Sequence, residues 1–420
     1  MLLLNPQAAS AYLDPGAGNA LVYIAVTLVS VAAYAAKELF YRLTGRKNGG
    51  KAEEKYDAIA IFSEGKSYWT TFKPIVDALI ARGQPFSYYT MDIEDPALTL
   101  RNPLMRRRYI GTGSAASARL NRVSCRVMFA TTPNIGTPGY PISRPAKVAF
   151  LSHVFHGAEG IGSYKKGALD HYDSVCVTGD YVKPAIRYLE QKRGLPPKEL
   201  VSLGLPYWDV MLKQARDCLD ERQRSEKADG KKTLLLAPSW SEKGFLSCYD
   251  TGFIKSLARE YDLILRPHPQ SWKSETELLD SVRRDLADIP NITWDRDSDP
   301  AHSLAVSDLM ISDFSGVRMD YAVIYRKPVV SLEVGAGDVS SFELADLPEQ
   351  YAGSITDKVC VVVKKEEIGN INAIVKAALE SSSQDIDSFI RANIANLGTA
   401  GEHIADYLIE KSKVLSTHGD

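Results

Sequence analysis

Ser307-Asp308-Leu309-Met310-Ile311-Ser312-Asp313-Phe314-Ser315-Gly316-Val317-Arg318-Met319-Asp320-Tyr321 holds the fold's organising unit. Leu309 to Ile311 is an uninterrupted apolar run, as a strand buried on both faces requires. Small hydroxyl and glycine residues then turn the chain, and a helix starts at Val317. A buried strand feeding straight into a helix is the unit from which parallel sheets are wound. Ser315 and Gly316 fall at the helix N-terminus, where unpaired amides and the helix dipole attract phosphate. Plain N-capping by Ser312, Asp313 or Ser315 would use the same residue types.

The same rhythm extends in both directions. Upstream, AIAIF (58–62), FSYYT (86–90), CRVMFA (125–130), KVAFLS (147–152) and SVCVTG (174–179) read as strands, with helices over 67–82 and 181–193. A polar, charge-rich stretch at 213–232 interrupts the pattern. It restarts with TLLLAPS (233–239), a strand at 263–266, NITW (291–294), DLMIS (308–312), PVVSL (328–332) and VCVVV (359–363). Helices are expected over 251–260, 274–286, 299–306 and from Val317, and two more close the chain. The expected fold is α/β: two doubly wound parallel-sheet (Rossmann-like) domains facing each other, with a ligand cleft at the carboxyl ends of both sheets. The expected division is an N-terminal domain at 56–212, a linker at 213–232 and a second domain at 233–420.

Composition narrows the function. The 420 residues are 45% hydrophobic and 24% charged with a net charge of -2, which excludes whole-chain disorder and argues against gripping nucleic acid through bulk positive charge. Cys125, Cys176, Cys218, Cys248 and Cys360 are odd in number and lack metal-ligand spacing, so reduced thiols are expected and no metal site is indicated.

The first 55 residues depart from this pattern. ALVYIAVTLVSVAAYAA (20–36) carries no charge, and Leu39, Phe40 and Tyr41 extend it, giving an expected membrane helix at 20–41. Lys37, Arg42, Arg46, Lys47 and Lys51 follow it. The positive-inside rule then places 1–19 outside and the remainder on the cytoplasmic side of the inner membrane. A buried helix or the remnant of a signal peptide are the competing readings; 42–55 reads as a tether. Arg106-Arg107-Arg108 reads as a solvated loop, with contact to anionic lipid or a polyphosphate as the alternative.

Two further features join Ser315 and Gly316 at expected strand ends. His156-Gly157 follows the strand at 147–152, pairing an imidazole base with a residue that allows close backbone approach. Arg266-Pro267-His268-Pro269 ends the strand at 263–266, where flanking prolines fix the backbone and a cation beside a histidine suits phosphate.

Read in order, HVFHG (153–157), VSLGLPYWD (201–209), TLLLAPSW (233–240), RPHP (266–269) and SDLMISDFSGVRMDYAVIYRKPVV (307–330) resemble the CDP-glycerol glycerophosphotransferase family of teichoic-acid and capsule biosynthesis. The resemblance implies a GT-B fold. It places His156, His268 and Asp320 in the catalytic set, Arg266, Ser315 and Gly316 on the donor phosphates, and Gly157, Asp313 and Asp209 in support. The chain departs from the family pattern where Gly316 replaces a second serine, Phe314 a tyrosine, and Tyr207-Trp208 the Pro-Arg before Asp209. The implied reaction moves glycerol phosphate, or a related alditol phosphate, from a CDP-activated donor to a hydroxyl of a lipid-linked or polymeric acceptor at the membrane, releasing CMP with no further cofactor. In that reading Asp320 orients His268 or binds the donor's alcohol. A GT-B glycosyltransferase using a nucleotide sugar, and a non-enzymatic scaffold in a polysaccharide-assembly complex, are the alternatives.

Overall fold

In the computed structural model the described residues are 58–158, 160–225, 231–297, 299–335, 339–352, 355–380 and 384–417. The expected N-terminus, membrane helix and tether lie outside them. No helix among the described residues is long and apolar enough to cross a membrane.

The first sheet has seven strands in the order β3-β2-β1-β4-β5-β6-β7. They are β1 (Ile59–Ser63), β2 (Phe86–Thr90), β3 (Met105–Tyr109), β4 (Ser124–Ala130), β5 (Lys147–Val154), β6 (Ser174–Val177) and β7 (Glu199–Ser202). The second has six, β10-β9-β8-β11-β12-β13. These are β8 (Thr233–Ala237), β9 (Asp262–Leu265), β10 (Ile292–Trp294), β11 (Leu309–Ser312), β12 (Val329–Leu332) and β13 (Cys360–Val363). Every pairing is parallel. In each sheet the strand order reverses beside the first strand, at β1/β4 and β8/β11, and such switch points open crevices at the carboxyl ends of strands.

Central strands are apolar because helices cover both faces: all of β1, β2, β11 and β12 is buried. Edge strands differ. Arg106 to Arg108 belong to β3, paired with Ser87–Tyr89 of β2, and not to a loop. An edge strand tolerates such a run because one side of it faces no partner strand, and charge there discourages further pairing. The five cysteines are free thiols; burial pushes Cys176 up to about 12, which suits an inert core residue.

Two expectations change in the region between and after the sheets. The stretch read as a linker from 213 is helical as far as Ser225, within the helix Tyr207–Ser225. Its Leu205 approach, Trp208 and Ala215 join a core that runs from the first sheet to Leu235, Met310 and Tyr321 of the second. The C-terminal segment, assigned from sequence to the second domain, returns to the first: Ile404, Ala405 and Leu408 of the helix Ala400–Thr417 pack with Ile59, Phe72 and Phe129. That tail is therefore docked, and Ser412 within it is buried. The return passes close over two glycines. A Cβ at Gly179 would lie 1.7 Å from the Asn393 carbonyl oxygen, and one at Gly204 (φ 89°) 2.3 Å from that of Ala395.

Candidate functional site

A cleft of about 300 Å³ is lined from the first half by Phe155, His156, Gly157, Ser163 and Tyr164, and from the second by Gly316, Val317 and Asp320, with Tyr207 from the connecting helix. Strand β5 delivers its last residue at Val154, so His156 and Gly157 emerge at the carboxyl edge of the first sheet. Strand β11 ends at Ser312, and the helix Val317–Tyr325 begins at the carboxyl edge of the second. Of the residues singled out from sequence, His156, Gly157, Gly316 and Asp320 meet here.

His156 is exposed to the cleft but walled by aromatic rings. Tyr164 stacks on it with centroids 6.0 Å apart and planes at 24°, and Tyr68 meets it edge-on at 5.2 Å. Its Nδ1 lies 3.0 Å from Thr131 Oγ1. Burial pushes the imidazole below its usual range, and hydrogen bonding to the Thr131 backbone acts in the opposite direction. At neutral pH the ring is therefore uncharged, a state suited to accepting a proton.

Asp320 sits three residues into its helix, facing the cleft. Trp208 Nε1 donates to its Oδ1 at 2.7 Å, and the Tyr207 hydroxyl donates to the same oxygen. Burial raises its pKa, while those two donors act the other way. The Tyr207-Trp208 departure from the family pattern thus has a local role: the pair fixes one carboxylate oxygen. The expectation that Asp320 orients His268 is not met among the described residues, because its partners are Tyr207 and Trp208.

The helix start carries the residues that the sequence assigned to phosphate. Gly316 occupies the N-cap with no side-chain cap, and the Val317 amide donates to Ser315 Oγ at a long 3.4 Å. Arg318, buried, donates through Nε to the Ser315 carbonyl at 3.1 Å and through Nη1 to Ser331 Oγ at 2.6 Å. The same Nη1 lies 3.4 Å from Asp357 Oδ1, so this guanidinium, to which sequence reading had assigned nothing, braces the turn while paired with a carboxylate.

The other singled-out residues lie elsewhere. Asp313 is buried, and its carboxylate accepts from the amides of Ser239 (3.1 Å) and Phe245 (2.9 Å), tying the loop after β8 to the end of β11. Arg266 is ion-paired to Asp295 and donates to the Asp297 carbonyl at 2.6 Å, so its charge is already engaged. His268 is exposed at the carboxyl edge of the second sheet, its Nδ1 accepting from the Gln270 amide at 3.1 Å, and it does not line the cleft. Asp209 is structural: its carboxylate accepts from the amides of Ala400 (3.2 Å) and Gly401 (2.8 Å), capping the returning helix.

Sequence reading missed Thr131, Tyr164, Tyr207 and Arg318. Tyr207 stood in the quoted motif as a departure. Arg318 stood in the quoted strand-to-helix stretch without a role, and Thr131 and Tyr164 carry no local signal, because only the tertiary arrangement brings them to His156.

Residues 157–335 match the family described as CDP-Glycerol:Poly(glycerophosphate) glycerophosphotransferase. Over 143 residues the chain is 28% identical to a teichoic acid poly(glycerol phosphate) polymerase of Staphylococcus epidermidis; the match spans 31% of this chain and 19% of that protein. Among solved structures, the wall teichoic acid polymerase TagF aligns over 92% of this chain and 98% of its own, at 16% identity and a TM-score of 0.54. The UDP-GlcNAc 2-epimerase of Methanocaldococcus jannaschii aligns over 84% of this chain and 99% of its own, at 14% identity and a TM-score of 0.55. At such identities the structural likeness speaks for the fold: two parallel α/β sheets in a GT-B-like arrangement.

Proposed function

From a chain that carries the glycerophosphotransferase family's region at residues 157–335, we propose a transferase that moves glycerol phosphate from CDP-glycerol to a hydroxyl of a polymeric acceptor. The observation that carries this reading is the meeting, across a single cleft, of His156 from one sheet with the helix start at Gly316 of the other, which serves as the anion cradle. The acceptor hydroxyl attacks the phosphorus that bears glycerol. The bond from that phosphorus to the oxygen of CMP breaks, and CMP leaves with the electron pair. His156 takes the proton of the attacking hydroxyl through its ring nitrogen remote from Thr131. The amides at Ser315 and Gly316 hold the pyrophosphate, and Arg318, paired with Asp357, fixes the turn that presents them. Asp320, held by Tyr207 and Trp208 through one oxygen, uses the other to bind a hydroxyl of the glycerol being transferred.

The uncharged stretch at 20–36 and the cations after it support an anchor that keeps this cleft beside a membrane-associated acceptor, with the catalytic part on the cytoplasmic side.

The test is to incubate the full chain with CDP-glycerol, CDP-ribitol and nucleotide sugars, with a membrane extract supplying acceptor, and to identify the released nucleotide. CMP accompanied by phosphodiester in the product is the expected result. A nucleoside diphosphate released from a sugar donor would overturn it in favour of glycosyl transfer.

A further inference from the structure

Two of the largest apolar side chains left in water stand at the carboxyl edge of the second sheet: Trp240, 47% exposed, and Phe314, 45% exposed. They follow adjacent strands, β8 and β11, whose ends are in register at Ala237 and Ser312. The Asp313 carboxylate ties these loops together through the Ser239 amide, so Trp240 and Phe314 are each the next residue after a bonded partner. His268, exposed after the neighbouring strand β9, lies against Trp240 with centroids 6.3 Å apart and planes at 31°. Rings that follow three neighbouring strands thus stand at one edge, Trp240 and His268 in contact and Phe314 exposed after the adjacent strand.

The loop that carries Trp240 is held, not slack. The Ser241 amide donates to Glu275 Oε1 at 2.6 Å, the Ser247 hydroxyl donates to the Ser241 carbonyl at 3.3 Å, and the Phe245 amide donates to Asp313 at 2.9 Å. Ser241 is kept at φ 110°, a conformation that non-glycine residues adopt only when their surroundings impose it. Ser239, 7% exposed, has a hydroxyl with no hydrogen-bond partner among the described residues, directly beside Trp240. Indole and phenyl rings are normally buried for the apolar area they remove from water. Holding them exposed on a braced loop, beside an unused hydroxyl, is the arrangement of a stacking site awaiting a flat ring.

We infer that Trp240, Phe314 and the ring of His268 form the platform on which the nucleobase of the donor stacks. Phe314 immediately precedes the Ser315-Gly316 cradle, so one nucleotide meets the platform with its base and the cradle with its phosphates. This rests on the transferase reading above for the donor's being a nucleotide. It adds the subsite that separates nucleotides from other phosphates, and it gives His268 a role distinct from acid–base chemistry.

The experiment is calorimetric titration of the full chain with CMP, UMP and pyrophosphate, the last presenting phosphates without a base. Trp240→Ala and Phe314→Ala are expected to weaken CMP binding about tenfold each, within the range that base–aromatic stacking supplies. Pyrophosphate binding should not change, and Trp240→Phe should restore most of the loss. In turnover the defect should fall on the donor's KM more than on kcat. Both side chains are exposed, so the variants retain the fold. The inference is overturned if CMP binds both alanine variants as it binds the wild type, or if CMP and pyrophosphate weaken equally. UMP bound in place of CMP, with the same dependence on Trp240, would uphold the platform and sink the CDP-donor reading. A wild-type chain that binds no nucleotide would sink both.

Discussion

At the residue scale, the chemistry turns on one imidazole whose charge state can be measured. Burial holds His156 below its usual range, so it is neutral at pH 7 and gains a proton only in more acidic solution. If it serves as base, kcat/KM falls on the acid side with an apparent pKa below the ordinary histidine value; a protonated phosphate stabiliser would give the opposite slope. His156→Ala should lower turnover by about 10² to 10⁴-fold, the span of positioned acid–base groups, with the melting temperature little changed. Asp320 offers a second, independent check. Its folded pKa is raised by burial, so its stabilising contribution belongs to the protonated form, present at low pH and lost as pH rises through the folded value. Asp320→Asn should therefore equal or exceed the wild type in thermal stability at pH 7 to 8 while turnover drops about tenfold or more, as expected for a lost transition-state contact. His156, Gly157, Ser315 and Gly316 were legible because each lies in a turn after a strand whose residue types advertise the bend, and Asp320 because it follows one helical turn beyond Gly316. Thr131 and Tyr164 were not, because a threonine ending a strand and a tyrosine in a coil have no periodicity to mark them. His268 and Arg266 show the limit in the other direction. Their motif was visible, but sequence could not show that Asp295 engages the arginine or that the histidine lies against Trp240.

At the scale of elements, central strands could be read almost to the residue, and elements with mixed burial could not. FSYYT is β2 as expected: its three aromatic rings mark a buried strand, and Ser87 and Thr90 are small enough to be buried with them. By contrast β3, MRRRY, and β7, ELVS, are edge strands whose exposed positions break the apolar signal. The helix Tyr207–Ser225 was hidden for a related reason: beyond its first turns it is rich in charge, and it resembled a linker. The returning helix Ala400–Thr417 depends on a single acidic cap. Asp209, whose pKa burial raises, accepts from two of its first amides. Asp209→Ala should cost about 1–2 kcal/mol of stability, the upper part of the range for lost caps, because the helix end is packed and not solvated. Asp209→Asn, which keeps an acceptor, should lose less. Chemical denaturation checks both, and turnover per folded molecule should be unaffected, since Asp209 does not reach the cleft.

At the scale of the whole molecule, the cleft exists because the two halves are locked beside it. The segment before Leu347 in the second half forms an antiparallel bridge between Phe342 and Lys165. There the Lys166 amide donates to the Ser341 carbonyl at 3.0 Å and the Glu343 amide to the Tyr164 carbonyl at 2.7 Å. Tyr164 is the ring stacked on His156, so the lock and the proposed base share a residue. Glu343, 1% exposed, pairs with Arg193 and accepts from the Gly167 amide at 2.9 Å. Arg193 also reaches Asp170 at 2.9 Å and Asp346 at 3.2 Å. Removing one member of a buried pair strands the other, which costs about 3–5 kcal/mol where no second partner exists. Here Asp170 and Asp346 remain, so Glu343→Ala should cost less, about 2–3 kcal/mol, with Glu343→Gln between it and the wild type. The lock also has a pH signature. Burial alone would raise Asp346, but Lys166, Arg193 and Lys192 together hold it down to about 2. Its folded value is therefore depressed, so its contribution is complete above the unfolded carboxylate range near pH 4 and is lost as pH falls toward 2. Melting curves from pH 7 to pH 2 should show a loss of stability over that window that shrinks in Asp346→Asn. Because the lock holds Tyr164 against His156, Glu343→Ala should also shift the acid limb of the activity profile, whereas a lock that served stability alone would leave that limb in place.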